Sequence, residues 1–391
     1  MTPPRITRRN WFTRAGIVTG AALAARDAVS AATEKYPRNL TREDVDRWMK
    51  EMSNWGKWGP DDQAGTINLI TPAKRKAAAG LVKDGVSVSA SLNADLPKEG
   101  PTGVPLPVRG GGGGGRGRQG GLGGPPGGGG PPPQGNAAEQ GRGRGPGGGP
   151  ANRFTWSLAT RPPGPEPRPL AAYVVDTISV SYHGNNTTHL DALSHIYYHG
   201  QIYNGYPQTS YTDRGAGKND VMAFKNGIFT RGILFDIPKL KNVPYLGDDE
   251  AIYPEDLEAW EKKAGVRLES GDAMLVRTGR WVRVREKGDL NLNVATPGLY
   301  ASCVKWMRER GVAILGSDVV QDVRPSRVEG VNQPIHQMAL MALGTPLIDN
   351  CNLEAVAEAA AQRRRWAFLL TINPLRIPGA TGGPVNPIAT F

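Results

Sequence analysis

Two cysteines in 391 residues exclude a disulfide framework and any cysteine-rich metal or cluster site. Cys303 and Cys351 have two options, pairing with each other or sitting as buried thiols, and Cys303, in an amphipathic helical run, reads as buried. No apolar run reaches the ~20 residues a membrane-spanning helix needs. Outside the glycine-rich tract no strand leads into a GxGxxG loop, and the chain has neither a GxxxxGK[ST] loop nor a GxSxG elbow, which removes dinucleotide, phosphate-loop and serine-elbow chemistry. Histidine is scarce as well, with five in the chain. That scarcity makes the placement of the five informative.

Four of the five fall within seventeen positions: His183, His189, His195 and His199. His189 and Asp191 are two apart, which puts both side chains on one face of a strand, and imidazole with carboxylate is a common ligand set for zinc and similar divalent ions. Thr177 to His183 alternates Ile178, Val180 and Tyr182 against Ser179, Ser181 and His183, so a half-buried strand is expected with His183 on its polar face. Asp191 and His195 are four apart, a spacing that aligns them if the chain turns helical after Leu190. The pattern therefore reads as a strand-to-helix ligand set.

Two segments stand apart in composition. Residues 1–31 carry Thr7-Arg8-Arg9-Asn10-Trp11-Phe12, a short apolar run from Ala15 to Ala25 and the small-residue site Val29-Ser30-Ala31, the pattern of a twin-arginine export signal. This implies a passing partnership with the twin-arginine translocase, a periplasmic location and no permanent membrane span. Residues 98–152 are dominated by Gly and Pro, too poor in apolar side chains to offset the entropy of ordering, and are expected to form a flexible insertion. These two stretches hold most of the formal charge of +11, about +4 in the first and about +5 across residues 109–153. The remainder is nearly neutral, so the pI of 9.7 does not make the folded part a nucleic-acid binder, despite Arg-Gly pairs at Arg116, Arg118, Arg142 and Arg144. Residues 32–97 and 153–391 are left to form one catalytic domain around the insertion.

The rest of the chain alternates helix and strand signals. Helices are expected over residues 43–52, 73–83, 253–260, 300–310 and 353–362, the last with Asn352 as N-cap. Strands are expected over residues 86–92, 232–237, 273–278, 312–315 and 367–372. The class is α/β, with a mixed β-sheet and flanking helices.

Thr188-His189-Leu190-Asp191-Ala192-Leu193-Ser194-His195 resembles the His-x-Asp-x3-His signature of the metal-dependent cyclase family, which includes bacterial kynurenine formamidases and isatin hydrolases. Trp58-Gly59 through Asp62-Gln63-Ala64-Gly65-Thr66-Ile67-Asn68 resembles the entry segment of its longer members. Gly271 to Gly279, Pro297 to Leu299, Ala313 to Asp318, Pro334 to His336, Leu347 to Asn350 and Pro378 to Pro387 follow in the family's order. The resemblance implies a swivelling β/β/α cyclase-like domain, His189 and Asp191 as metal ligands, and His195 as the histidine that gives and takes a proton. It also implies that His336 and Asp349 join the shared Asp191 in holding a second ion. The family's short pattern has a histidine where Asn185 stands. Either a loop carries His183 to the metal, or Asn185 or a water fills that place.

The resemblance thus points to a divalent metal, Zn2+ ahead of Mn2+, with one or two ions. A water activated there would hydrolyse a C–N bond of an amide, formamide or cyclic imide, in a homo-oligomer, dimer or tetramer. Asn185 is a candidate oxyanion donor, and Tyr203 and Trp58 are candidate substrate contacts, with core packing the other reading of Tyr203. The alternatives are a lactonase, cyclase or dehydratase on the same scaffold, or a non-catalytic periplasmic protein that uses the metal to grip a carboxylate.

Overall fold

The computed structural model describes residues 35–93, 154–161 and 173–391. The export signal assigned to residues 1–31 and the insertion assigned to residues 98–152 lie outside the described residues. The chain divides into two compact units, one of residues 1–93 with 185–391, the other of residues 94–184.

In the smaller unit an antiparallel hairpin pairs Phe154–Arg161 with Tyr173–Val180. Its partner strand meets Val180 at Phe154, so pairing stops there. The strand expected to run on to His183 therefore ends three residues earlier.

The larger unit begins with two helices, α1 (Arg42–Glu51) and α2 (Pro72–Ala79). Thr41 caps α1, accepting a hydrogen bond from Asp44 N while Asp44 accepts one from Thr41 N, a reciprocal box that satisfies two end donors. α2 stops at Gly80, short of the expected Lys83. Then follow the strands of a nine-stranded mixed sheet: β1 (Ser87–Ser89), β2 (His189–Asp191), β3 (Ile228–Asp236), β4 (Ala273–Arg277), β5 (Ile314–Ser317), β6 (Leu347–Asp349), β7 (Ala367–Ile372), β8 (Gly382–Pro384) and β9 (Ile388–Thr390). Their spatial order is β1-β9-β7-β3-β4-β5-β6-β2-β8.

The four strands β3 to β6 run parallel, and every pairing outside them is antiparallel. Parallel neighbours need crossovers. The chain supplies α3 (Pro254–Ala264) between β3 and β4, then α4 (Arg280–Lys287) and α5 (Cys303–Arg310) between β4 and β5. A short α6 (Pro334–Gln337) runs into a π-helix, Met338–Leu343, between β5 and β6. Covered on both faces, β4 and β5 are buried at every residue, which is why they read as unbroken apolar runs rather than alternating ones. Trp260 on α3 is buried against the sheet and donates its indole N–H to Leu234 O at 2.7 Å. α7 (Glu354–Arg363) has Leu353, not Asn352, at its N-cap. The Asn352 Oδ1 still accepts from Glu354 N at 3.4 Å, one residue out of phase with the expectation. Cys303 and Cys351 are both free and buried, so the possible pair does not form. Burial pushes both thiols up, which leaves them inert packing groups.

The entry segment is tied to the π-helix. Asn54 N and Nδ2 donate to Ala342 O and Leu343 O, and Trp55 Nε1 donates to Met341 O, so carbonyls at that helix end are satisfied from outside. Thr66 N donates to Gly344 O at 2.8 Å. This approach is possible only because residue 65 is glycine. A Cβ on Gly65, whose φ is +58°, would stand 1.9 Å from the Gly344 oxygen. Gly65→Ala is expected to destabilise the fold by about 2–4 kcal/mol, combining a left-handed alanine with overpacking. Urea unfolding of the two proteins checks this.

Candidate metal centre

β2 is only three residues long, but it lies between β6 and β8, and its register decides what meets what. His189 is opposite Asp349 and Asp191 is opposite Leu347. Since side chains alternate along a strand and paired residues share a face, His189, Asp191 and Asp349 all project to one side. His336, on α6, completes the group. Asp191, His336 and Asp349 each bring a ligand atom to within 4.8 Å of one another. His336 Nε2 lies 3.4 Å from Asp349 Oδ2 and 3.8 Å from Asp191 Oδ2. His189 Nε2 lies 3.4 Å from Asp191 Oδ1.

His195 approaches from a different direction than its spacing suggested. No helix follows Leu190. Ala192 N bonds to Thr381 O and Ser194 N to Asn219 O, so the chain here is tied to other segments. The chain makes a turn instead, with His195 N donating to Ala192 O at 2.9 Å. The turn still brings His195 Nε2 to 3.9 Å from Asp191 Oδ2. Its side chain keeps 27% exposure, against 1% for Asp191 and 3% and 5% for His336 and Asp349. His195 is thus the member of the group that also reaches solvent.

Each imidazole is oriented from behind. His189 Nδ1 lies 2.7 Å from Thr187 O, which places the proton on Nδ1 and leaves Nε2 toward Asp191. Burial opposes protonation of His189, but the Asp191 and Asp349 carboxylates outweigh it and push its pKa up to about 9. The same contest raises His336, where Asp349 and the hydrogen bond to Asp322 prevail over burial. The carboxylates thus draw positive charge into this buried spot.

Residues not singled out in the sequence hold the group in place. Arg280, buried at the start of α4, donates Nη1 to Asn350 Oδ1 at 2.7 Å and Nη2 to Asn185 O at 2.7 Å. Asn350 Nδ2 in turn donates to Thr187 O at 3.2 Å, the carbonyl that orients His189. Asp318 accepts from Thr278 N, Gly279 N and Arg280 N, capping the chain entering α4. Gln321 and Asp322 contact Asp349 and His336. One signal was available: these acids and amides lie at and just beyond the carboxyl end of a buried parallel strand, where open α/β sheets place their ligands.

The other expected site residues each have contacts of their own. Tyr203 is fully buried against the Gly344 backbone, and its hydroxyl donates to Asp62 Oδ2 at 3.0 Å. It is a core residue, not a substrate contact, because both its ring and its hydroxyl are already used. Trp58 is half-buried in the entry loop under the Lys57 ammonium, 4.9 Å from the ring centre, and no contact joins it to the donor group. Asn185 is engaged through its main-chain oxygen by Arg280. His183 belongs to the smaller unit, half-buried, with its ring 4.5 Å from that of Tyr182. Tyr198 and His199 line a separate cavity of about 640 Å³ with Trp55 and Met341.

The model of the family described as "Putative cyclase" matches residues 139–321. A solved structure described as a novel cyclase is 28% identical, with a TM-score of 0.64, covering 88% of this chain and 99% of its own. Two isatin hydrolases A also match. The protein from Ralstonia solanacearum is 20% identical (TM-score 0.42, 60% of this chain, 81% of that one), and the one from Labrenzia aggregata 18% identical (TM-score 0.42, 61% and 85%). Curated proteins give no significant match. With the parallel core flanked by antiparallel strands, and with His189, Asp191 and His195 of the signature meeting at one place, the chain is similar to the putative cyclases over residues 139–321 and shares the α/β fold of the solved cyclase.

Proposed function

We propose that the protein is a metal-dependent hydrolase that cleaves a C–N bond of an amide, a formamide or a cyclic imide. One observation carries this reading: two buried imidazoles and two buried carboxylates converge beside a third imidazole that reaches solvent. The donor chemistry fits a divalent ion, since imidazole nitrogen and carboxylate oxygen suit zinc and manganese alike. A cation would also offset the cost of burying Asp191 and Asp349 side by side. His189 and Asp191 would hold one ion, and His336 and Asp349 would join Asp191 in holding it or a second one.

When bound, such an ion lowers the pKa of water toward ~7 and polarises the carbonyl under attack. The chain's own residues supply the rest. His195 takes the proton of the attacking water as the C–O bond forms, then gives it to the departing nitrogen as the C–N bond breaks. An amine leaves as a neutral molecule only if its nitrogen is protonated, so the cleavage needs a carrier that faces both the site and the substrate. Asp191, near His189, His195 and His336, keeps the three rings turned inward. The Thr187 carbonyl holds the His189 proton on Nδ1, away from the reaction.

Metal-stripped protein, titrated with Zn2+ or Mn2+ and assayed on formamides, imides and lactones, tests the reading. One or two bound equivalents with hydrolysis of a C–N substrate is the expected result. A folded protein that binds neither ion, or whose turnover survives stripping, would refute it.

A further inference from the structure

Gln321 and Asp322, adjacent in sequence just beyond β5, are both buried, and neither would be retained cheaply for packing alone. Gln321 has a φ of +59°, in the left-handed region that penalises any residue with a Cβ. Its Oε1 has no partner among the described residues, a second cost in a buried amide. Strain kept in a buried position is a mark of a functional constraint. What Gln321 does with its other amide atom suggests the constraint. Nε2 donates to Ile348 O at 2.8 Å and to Asp349 Oδ1 at 3.0 Å, and since both partners are acceptors the orientation of the amide is fixed.

Asp322 grips the other side of the group. Its Oδ2 lies 2.5 Å from His336 Nδ1 and accepts from His336 N at 3.3 Å, while Oδ1 accepts from Ile335 N at 2.7 Å. A carboxylate collecting these donors keeps a proton on Nδ1, so Nε2 is the nitrogen that a ligand would engage. Each clamp residue therefore occupies the far atom of a donor side chain, Asp349 Oδ1 and His336 Nδ1. The near atoms, Asp349 Oδ2 and His336 Nε2, face one another at 3.4 Å.

We propose that Gln321 and Asp322 are a pair of positioning residues that aim Asp349 Oδ2 and His336 Nε2 and so set the affinity of the site for its ion. The affinity part rests on the metal-dependent reading above, whereas the aiming part does not. Two variants separate this from a structural role. Gln321→Gly relieves the left-handed strain while removing the amide. The metal-free variant should still fold, the relieved strain offsetting part of the lost hydrogen bonds, yet its zinc dissociation constant should rise about 10- to 100-fold. Asp322→Asn should weaken zinc to a similar extent. In 15N-labelled, metal-free protein it should also abolish the low-field proton that wild-type His336 carries on Nδ1.

Unchanged zinc affinity in both variants would overturn the proposal, as would a wild-type His336 whose Nδ1 bears no proton. If the wild type bound no zinc at all, the metal-dependent reading would fall, and the His336 proton, observed without any ion, would still decide whether Asp322 aims the ring.

Discussion

Replacing His195 by alanine is expected to lower turnover by about 10²- to 10⁴-fold while leaving the bound ion in place. The reasoning is positional. His195 sits 3.9 Å from Asp191 but keeps more than a quarter of its side chain in solvent, so truncation removes a proton carrier without opening the buried donor group. His189→Ala should behave in the opposite way. It deletes an imidazole from the buried face of β2, beside Asp191, so the ion itself should be lost. Metal content and steady-state rates measured on the two variants distinguish the roles. If His195→Ala kept its rate, or His189→Ala kept a full complement of metal, the corresponding assignment would be wrong.

The second large effect concerns stability. Arg280→Ala is expected to cost about 3–5 kcal/mol, the range for removing one partner of a buried charged network. Burial pulls the Arg280 guanidinium down to about 10, with Asp318 opposing the shift, so it stays charged at neutral pH and its loss would leave buried acceptors unsatisfied. The Asn350 amide oxygen and the Asn185 carbonyl would each lose a donor at 2.7 Å. The damage should reach the donor group through a short path: Arg280 holds Asn350, Asn350 holds the Thr187 carbonyl, and that carbonyl holds His189. Arg280→Lys should recover only part of the loss, because one ammonium cannot reproduce the two-armed fork. Denaturant unfolding of metal-free wild type, Arg280→Ala and Arg280→Lys measures the cost. A change below about 1 kcal/mol in Arg280→Ala would mean that water replaces the guanidinium.

The central strands were legible because burial on both faces leaves a continuous apolar run with clear ends. β7 falls on Ala367–Ile372 as expected, and β4 differs by one residue, since Thr278 turns its N–H to Asp318. α3 begins at Pro254, where the sequence places proline and acids in a first turn. The turn after Asp191 was not legible, because Ala192 N and Ser194 N are held there by Thr381 O and Asn219 O, partners that no local pattern encodes. Tyr203 misled for a similar reason. Its nearness in sequence to the histidines says nothing of Gly344 and Asp62, which decide its place. Asp322 and Gln321 were invisible because their meaning lies in contacts with residues 336 and 349, which no local pattern encodes.

The sheet order carries a further consequence. β2 is inserted beside β6, so Asp191 and His336 meet although roughly 145 residues of chain separate them. An ion shared by that pair would be a removable cross-link across a very long loop, whose closure entropy protein contacts alone must otherwise offset. Loaded chain could not part these strands without first releasing the ion, and free ion in solution would thereby weigh on the folding equilibrium of the whole larger unit.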